Sequence, residues 1–295
     1  MKRFFIAAAL FAIATAPAFA SQSIDVTRTA SPNASVHINN IAGSVKIVGW
    51  DKNSVHITGR LGSNDQHLKV TGEKDYIDIK VQYPQHSNID EGTVLVIQLP
   101  RASSVEAHTV SASIDASEVV GPQRLKAVSG KVTLTSKSQE ISVESVSGTV
   151  EVKGSAAKAH VEASSVSGDV EIADIGGELD GNSVSGNVTA ADSKLQRAKM
   201  GSTSGDLMYG GPIESSGVYE FHTTSGDVVL KLSAKPDAKF DIETFSGDIR
   251  NDFGPKAEHT RRYGPGQELH FTSGSGSAHV RAETLSGDIE LRVAD

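Results

Sequence analysis

Between Ile24 and Arg101 apolar residues recur at every second position in short runs: Val36/Ile38, Val45/Ile47, Val55/Ile57, Leu68/Val70 and Ile77/Ile79/Val81. Alternation of β-branched residues at period two predicts strands with one buried face. The run Thr93 to Leu99 is apolar at both alternations, which predicts a strand covered on both sides until Pro100 ends it.

From about Ser103 the sequence repeats itself. Ser-Gly pairs place glycine at 130, 148, 168, 186, 205, 226, 247 and 287, with intervals of 18, 20, 18, 19, 21, 21 and 40 residues. The last interval predicts two rungs, one of them degenerate or carrying an insertion. A degenerate copy, Val110-Ser111-Ala112-Ser113-Ile114, stands 18 residues before the first regular one. Two residues after each glycine comes Val132, Val150, Val170, Val188, Leu207, Val228, Ile249 or Ile289. Three residues before it stands Ser145, Ser165, Ser183, Ser202, Thr223, Thr244 or Thr284, Ala127 being the exception. A fixed period near twenty residues marks stacked, similar units.

Each unit has room for two strands and two turns and none for a helix. Lys131-Val132-Thr133-Leu134-Thr135 and Glu140-Ile141-Ser142-Val143-Glu144 both alternate cleanly, separated by Ser136-Lys137-Ser138-Gln139. The expected fold is therefore all-β: a β-solenoid of rungs of about 18–21 residues, mostly two strands each, with a small N-terminal β domain. Some ten rungs spaced ~4.8 Å apart would make a rod roughly 45–50 Å long. Gly130, Gly148, Gly168, Gly186, Gly205, Gly226, Gly247 and Gly287 are expected at the corners between strands, where the backbone needs positive φ or a close approach. The Ser or Thr before them would satisfy turn amides and stack on its copies. The coil is expected to end on Ile289 to Val293, with Glu290 and Arg292 blunting the sheet edge.

The beginning of the chain changes the setting. Lys2 and Arg3, an apolar stretch from Phe4 to Ala16, and Ala18-Phe19-Ala20 have the order of a secretory signal peptide. An uncleaved N-terminal anchor is the weaker alternative, and no later run approaches the ~18 apolar residues of a membrane span. The expected organisation is a signal peptide over 1–20, an N-terminal β domain or cap over 21–102, and the repeat domain over 103–295 with a loop insertion at 251–276. The chain has no cysteine, so stability must come from ladder hydrogen bonds and an apolar core. Removing Lys2 and Arg3 leaves 26 basic residues against 36 acidic ones, a balance of −10 that disfavours nucleic acid and anionic membrane as partners.

The Ser-Gly-Asp-apolar repeats, the Gly49-Trp50-Asp51 element before them and the final Thr284-Leu285-Ser286-Gly287-Asp288-Ile289 copy resemble a bacterial β-strand-repeat family of unknown function, carrying the label “putative adhesin”. The resemblance covers about residues 24 to 295. It implies an envelope-exposed β-solenoid and brings no catalytic residues; the adhesin label rests on analogy. Lys131, Thr149 and Asn187 stand where the repeat more often has Asp, which argues against an obligatory charge there.

Several constellations invite a chemical reading. Asp169, Asp206, Asp227, Asp248 and Asp288 form a column of carboxylates whose repulsion a hard cation such as calcium would relieve. The competing account is turn chemistry, each Asp accepting nearby amides, and the calcium-roll repeat is absent. The ten histidines are dispersed and no H-E-x-x-H occurs. Gly201-Ser202-Thr203-Ser204-Gly205 has threonine where a nucleophile elbow needs serine, and it lies in repeat register. Neither a catalytic residue nor a cofactor is expected. In the excursion from Asn251 to Gly276, Arg261, Arg262 and Tyr263, with Phe253 and His259, would contact an acidic glycan or a protein; alternatively the loop packs over the coil and shields a strand edge. The function expected is an exported, non-catalytic structural or adhesin-like binding module of the envelope, periplasmic or on the cell surface, with an envelope protein or glycan as partner. A carbohydrate-active enzyme on the same scaffold is the alternative, requiring paired carboxylates in a surface groove.

Overall fold

The computed structural model describes residues 22–63, 65–84, 92–232, 236–260 and 264–294; the leader expected over residues 1–20 lies outside them. Among the described residues every regular element is a β-strand. The strands are hydrogen-bonded into one open sheet that bends at the Ser-Gly corners.

A single rung shows the construction. Glu140–Ser145 pairs in parallel register with Gln123–Ala127 on one side and Ala159–Ser165 on the other. Past the corner, Val150–Lys153 pairs with Val132–Thr135 and Val170–Ala173. Ile141, Val143, Val150 and Val152 point inward and are buried, each stabilising the fold by roughly 1.5–3 kcal/mol. Their neighbours Ser142, Glu144 and Glu151 face outward, half-covered. The parallel, two-strand solenoid is the architecture the repeats predict.

The coil extends further towards the N-terminus than the repeats do. Ser35–Trp50 and Ser104–Ser117 each run round the corner as one strand, and they pair in parallel from Ser35↔Ser104 to Val48↔Ser117. A continuous ladder thus crosses the boundary expected between residues 102 and 103. Thr93–Pro100 is covered less fully than its composition suggests: Leu95, Ile97 and Leu99 are buried, whereas Val94 and Val96 are half-exposed.

At both ends the rungs stack out of chain order. Ser35–Trp50 lies between the later pair Tyr76–Gln82 and Thr93–Pro100 on one edge and Ser104–Ser117 on the other. Antiparallel strands are then added outside these, His67–Glu73 on Tyr76–Gln82, and Ser54–Arg60 on Thr93–Pro100 with Ser23–Thr29 outermost. At the far end Ala278–Ser286 inserts in parallel between Val218–Ser225 and Ala238–Ser246. Ile289–Val293 likewise inserts between Val228–Leu232 and Ile249–Asn251.

The 40-residue interval separates two rungs through an insertion, one of the two forms expected for it, and holds no degenerate rung; the topology corrects the reading of the final strand as an edge. After Asn251 the chain leaves the coil, lays Gln267–Ser273 antiparallel along the outer edge of Ala238–Ser246, and returns to fill the slot behind it. That antiparallel strand covers the open edge of Ala238–Ser246, and the short strand Glu258–His259 covers part of its own outer side. The final strand is therefore no edge: Glu290 is only 8% exposed and pairs with Arg250 at 2.7 Å and with Arg292.

Asp237 guides the chain into the slot. Its carboxylate accepts hydrogen bonds from the Ser275 hydroxyl at 2.9 Å and the Gly276 amide at 2.8 Å, at the turn preceding the inserted rung. Those donors, Ser275 first, hold the carboxyl below the ordinary carboxylate range. A depressed carboxyl contributes stability that is present above its unfolded value and lost as pH falls through the folded one. Asp237→Ala should lower the Tm at pH 7, and the difference should close below the ordinary carboxylate range; a gap unchanged across a pH series of melts would refute this role. For the corners, Gly168→Ala should cost about 2–3 kcal/mol in denaturant unfolding, as overpacking against backbone does. A Cβ at Gly168 would sit 2.2 Å from the Gly148 carbonyl oxygen, while Gly210→Ala, with no atom closer than 3.9 Å, is the control that should change little.

Candidate interaction surface at the corner of the coil

The corner is a short run in which the in-out alternation breaks. In one rung Ser145 is buried, Val146 and Ser147 are exposed, and Gly148 is buried again. Two adjacent residues must therefore face solvent, and the glycine passes directly over the carbonyl below. An added Cβ at Gly148 would lie 2.1 Å from the Gly130 oxygen, at Gly186 2.2 Å from that of Gly168, and at Gly287 2.0 Å from that of Gly226. Close approach, more than positive φ, selects glycine here, since only Gly247 and Gly287 of the series have positive φ.

Three residues before the glycine, the buried hydroxyl of Ser165 and of its later counterparts ties the turn to a neighbouring one, and that of Ser145, Ser165 and Ser183 closes its own. The Ser165 hydroxyl donates to the Gly148 carbonyl at 3.1 Å and accepts the Gly168 amide at 3.0 Å. Ser183 does the same for Gly168 and Gly186, and Thr223, Thr284 and Thr244 donate to Gly205, Gly226 and Gly287.

The residue after each glycine forms a second ladder. Oδ1 of Asp169 accepts the Asn187 amide at 2.8 Å, Asn187 the Asp206 amide, and Asp206 the Asp227 amide. The chain of bonds then follows the stack, not the sequence: Asp227 accepts from Asp288, and Asp288 from Asp248. The Gln267 side-chain amide closes the series on Asp248 at 2.9 Å. These are the aspartates that invite a cation, and one oxygen of each of Asp169, Asp206, Asp227 and Asp288 is engaged by an amide of the next rung. Among the described residues no group of three His, Asp or Glu side chains is placed to hold a metal ion.

The exposed residue two before each glycine makes a ridge. In stack order it reads Ile41, Val110, Val128, Val146, Val166, Val184, Thr203, Thr224, Leu285 and Phe245, aligned by the ladder registers on either side. The five valines are 44–46% exposed, Leu285 52% and Phe245 64%. Beside them runs a row of exposed serines, Ser111, Ser129, Ser147, Ser167 and Ser185. Scattered apolar residues at a surface are ordinary, but a contiguous row of them marks a recognition surface. The signal was present in the sequence as an apolar residue at a turn position where polar ones are the rule.

Other expected features fall elsewhere. Phe253 is half-buried against the core, and His259 is exposed on the two-residue strand Glu258–His259 paired to Gln267–Ser273. Arg261, Arg262 and Tyr263 lie outside the described residues. The strand Gln267–Ser273 covers the edge, as the loop's alternative reading has it. Several histidines sit on the outer faces beside carboxylates: His56 with Asp25 at 3.0 Å, His108 with Glu106 at 2.9 Å, His270 with Asp241 and Glu268, and His279 with Asp241. A shallow depression of about 290 Å³ on the first ladder includes Glu106, Arg124, Glu140, His160 and Glu162. The His108 hydrogen bond, and then the charges of His37 and Arg124, hold the Glu106 carboxyl below its ordinary range. A general acid for glycosidic cleavage needs the opposite displacement.

The family model described as Toastrack DUF4097 matches residues 18–212 and 198–292. No curated protein matches the chain. Among solved structures, a “putative adhesin” from Bacteroides fragilis NCTC 9343 is 10% identical, with 92% of this chain and 98% of that one covered, at a TM-score of 0.42. A “putative adhesin” from Parabacteroides distasonis ATCC 8503 is 9% identical over 92% and 98%, at 0.41. A “putative cell adhesion protein” from Clostridium sporogenes ATCC 15579 is 10% identical over 92% and 99%, at 0.23. With TM-scores below 0.5 these likenesses bear on neither fold nor function.

Ser165→Ala removes the hydroxyl that serves Gly148 and Gly168 at once, and should cost about 1–3 kcal/mol by leaving buried groups unpaired. Ser165→Thr, which reproduces the threonine of rungs 218–232, 238–251 and 278–293, should cost far less. Chemical denaturation of the two variants decides the matter, and equal losses would contradict it.

Proposed function

The chain belongs to the Toastrack DUF4097 family, and from that premise we propose that it is an exported, non-catalytic β-solenoid acting as a structural or adhesin-like binding module of the bacterial cell envelope. The observation that carries the reading is the ridge, apolar from Ile41 to Val184 and again at Leu285 and Phe245 after Thr203 and Thr224: such a row held by backbone ladders on a rigid coil is a surface made for a partner. The basic, apolar and small-residue order of residues 1–20 supports export. No helix among the described residues is long and apolar enough to cross a membrane, which leaves β-barrels unaddressed. The partner class is an envelope protein or glycan. The carbohydrate-active alternative would need a protonated acid beside a second carboxylate, whereas the Glu106 carboxyl is held below its ordinary range.

The test is capture from isolated envelope on beads bearing the purified mature protein. Saturable enrichment that falls at least tenfold when Val128, Val146 and Val166 become Ser supports the reading. Enrichment lost instead in an Arg261→Ala, Arg262→Ala, Tyr263→Ala variant moves the surface to the excursion. No enrichment from any fraction overturns the binding role and leaves a self-contained structural one.

A further inference from the structure

We propose that the occupant of the ridge is a second copy of this chain, paired antiparallel about a two-fold axis at Val146. The inference rests on the reading of the ridge as a recognition surface and names what covers it.

Symmetry and spacing come first. Val110, Val128, Val146, Val166 and Val184 occupy consecutive rungs with Val146 in the middle, so a two-fold axis there brings five valines onto five valines at the same ~4.8 Å repeat. A homodimer with closed symmetry uses one patch twice, and this patch is self-complementary. Exposure near 45% leaves on the order of 400 Å² of apolar surface on Ile41 and the five valines. Both copies with their serine flanks reach roughly 1,000–1,200 Å², the low end of specific interfaces. The dimer expected is therefore reversible.

Charge decides the orientation. The mature chain is strongly acidic, so two copies meet most easily where acid is scarce. The residue after the glycine column reads Ser113, Lys131, Thr149, Asp169 and Asn187 beside the valines, then turns to Asp206, Asp227, Asp288 and Asp248 beside the far part of the ridge. Antiparallel pairing about Val146 places this column against its own reverse. Lys131 then faces Asp169 of the second copy, Asp169 faces the second copy's Lys131, and Thr149 meets Thr149. The two acidic ends point away from each other. Parallel pairing sets this column against the residue four before the glycine in the same rung. That opposes Lys131 to Lys126, Asp288 to Glu283 and Asp248 to Glu243, like charge on like charge in three rungs, and offers no acid–base pair beside the valines. On the other flank the same axis sets Glu144 against Glu144 of the second copy, an approach that Lys126 offsets by bonding Glu144 at 2.9 Å within each copy. Asp169 is left to Lys131 of the second copy, which within its own copy also bonds Glu151.

The absence of cysteine makes the test clean. Single variants Val110→Cys, Val146→Cys and Val184→Cys change only exposed side chains, and circular dichroism and melting curves confirm that each folds. Under mild oxidation Val146→Cys should give a disulfide-linked dimer. Val110→Cys and Val184→Cys should link poorly alone and well when mixed, since bridging needs Cα atoms within about 7 Å. Sedimentation of the unmodified protein should show a monomer–dimer equilibrium, weakened about tenfold or more by Val146→Ser with Val166→Ser. Val110→Cys linking to itself as readily as Val146→Cys overturns the antiparallel arrangement. A protein monomeric at all concentrations, with no variant linking above a Glu171→Cys control on the outer face, overturns self-pairing. If that monomer still captures envelope material through the ridge, the binding-module reading survives without the dimer; a dimer that captures nothing supports self-pairing and removes the external partner.

Discussion

Successive corner glycines pass so close that the carbonyl of one lies where the next would carry a Cβ, and the rest of the molecule follows from that contact. At Gly148 and Gly168 the distance from a built Cβ to the carbonyl below is 2.1–2.2 Å, so any side chain would pry the rungs apart. Glycine alone would leave a floppy turn, and the buried Ser or Thr three residues earlier removes that freedom by bonding within its rung and to the rung before. With the corner fixed, both strands of every rung fall into register, and the core valines and isoleucines stack in columns.

A surface follows from the same constraint. Between the buried hydroxyl and the buried glycine two residues have nowhere to point but outward. Any chemistry placed there is repeated at the rung spacing. This chain has placed valine and serine along one stretch and larger apolar residues at the far end. On the flank it has placed amide-bonded Asp and Asn, whose side chains extend the backbone ladder by one bond per rung. The aspartates thus have a structural occupation that accounts for their recurrence and for Asn187 serving in their place.

Strand content, rung length and the Ser-Gly corner were legible because each is a local property repeated many times. Rung order was not. Rungs 218–232, 238–251 and 278–293 carry nearly the same Ser/Thr-x-Ser-Gly-Asp-apolar corner, so each can sit against either of the others, and only the hairpin 252–277 decides which neighbour is taken. The final strand therefore read as an edge although it lies inside. The ridge was hidden for a different reason: an apolar residue is assigned inward by default, and the break in alternation at Val146 and Ser147 shows only when the corner is seen to turn two residues out together. Ser35–Trp50 lacks the Ser-Gly pair, having Ala42-Gly43 at its corner, so its membership of the coil could not be read from the repeat.

The insertion of the last rung sets a condition on how the chain is completed. Residues 238–251 precede 278–293 in the chain yet end up one layer further out, so the coil is complete only with the C-terminal segment in place between its two neighbours. Once there, its two strands are zipped along both sides, so a pull on the C-terminus loads four ladders in shear and cannot peel the stack open one layer at a time.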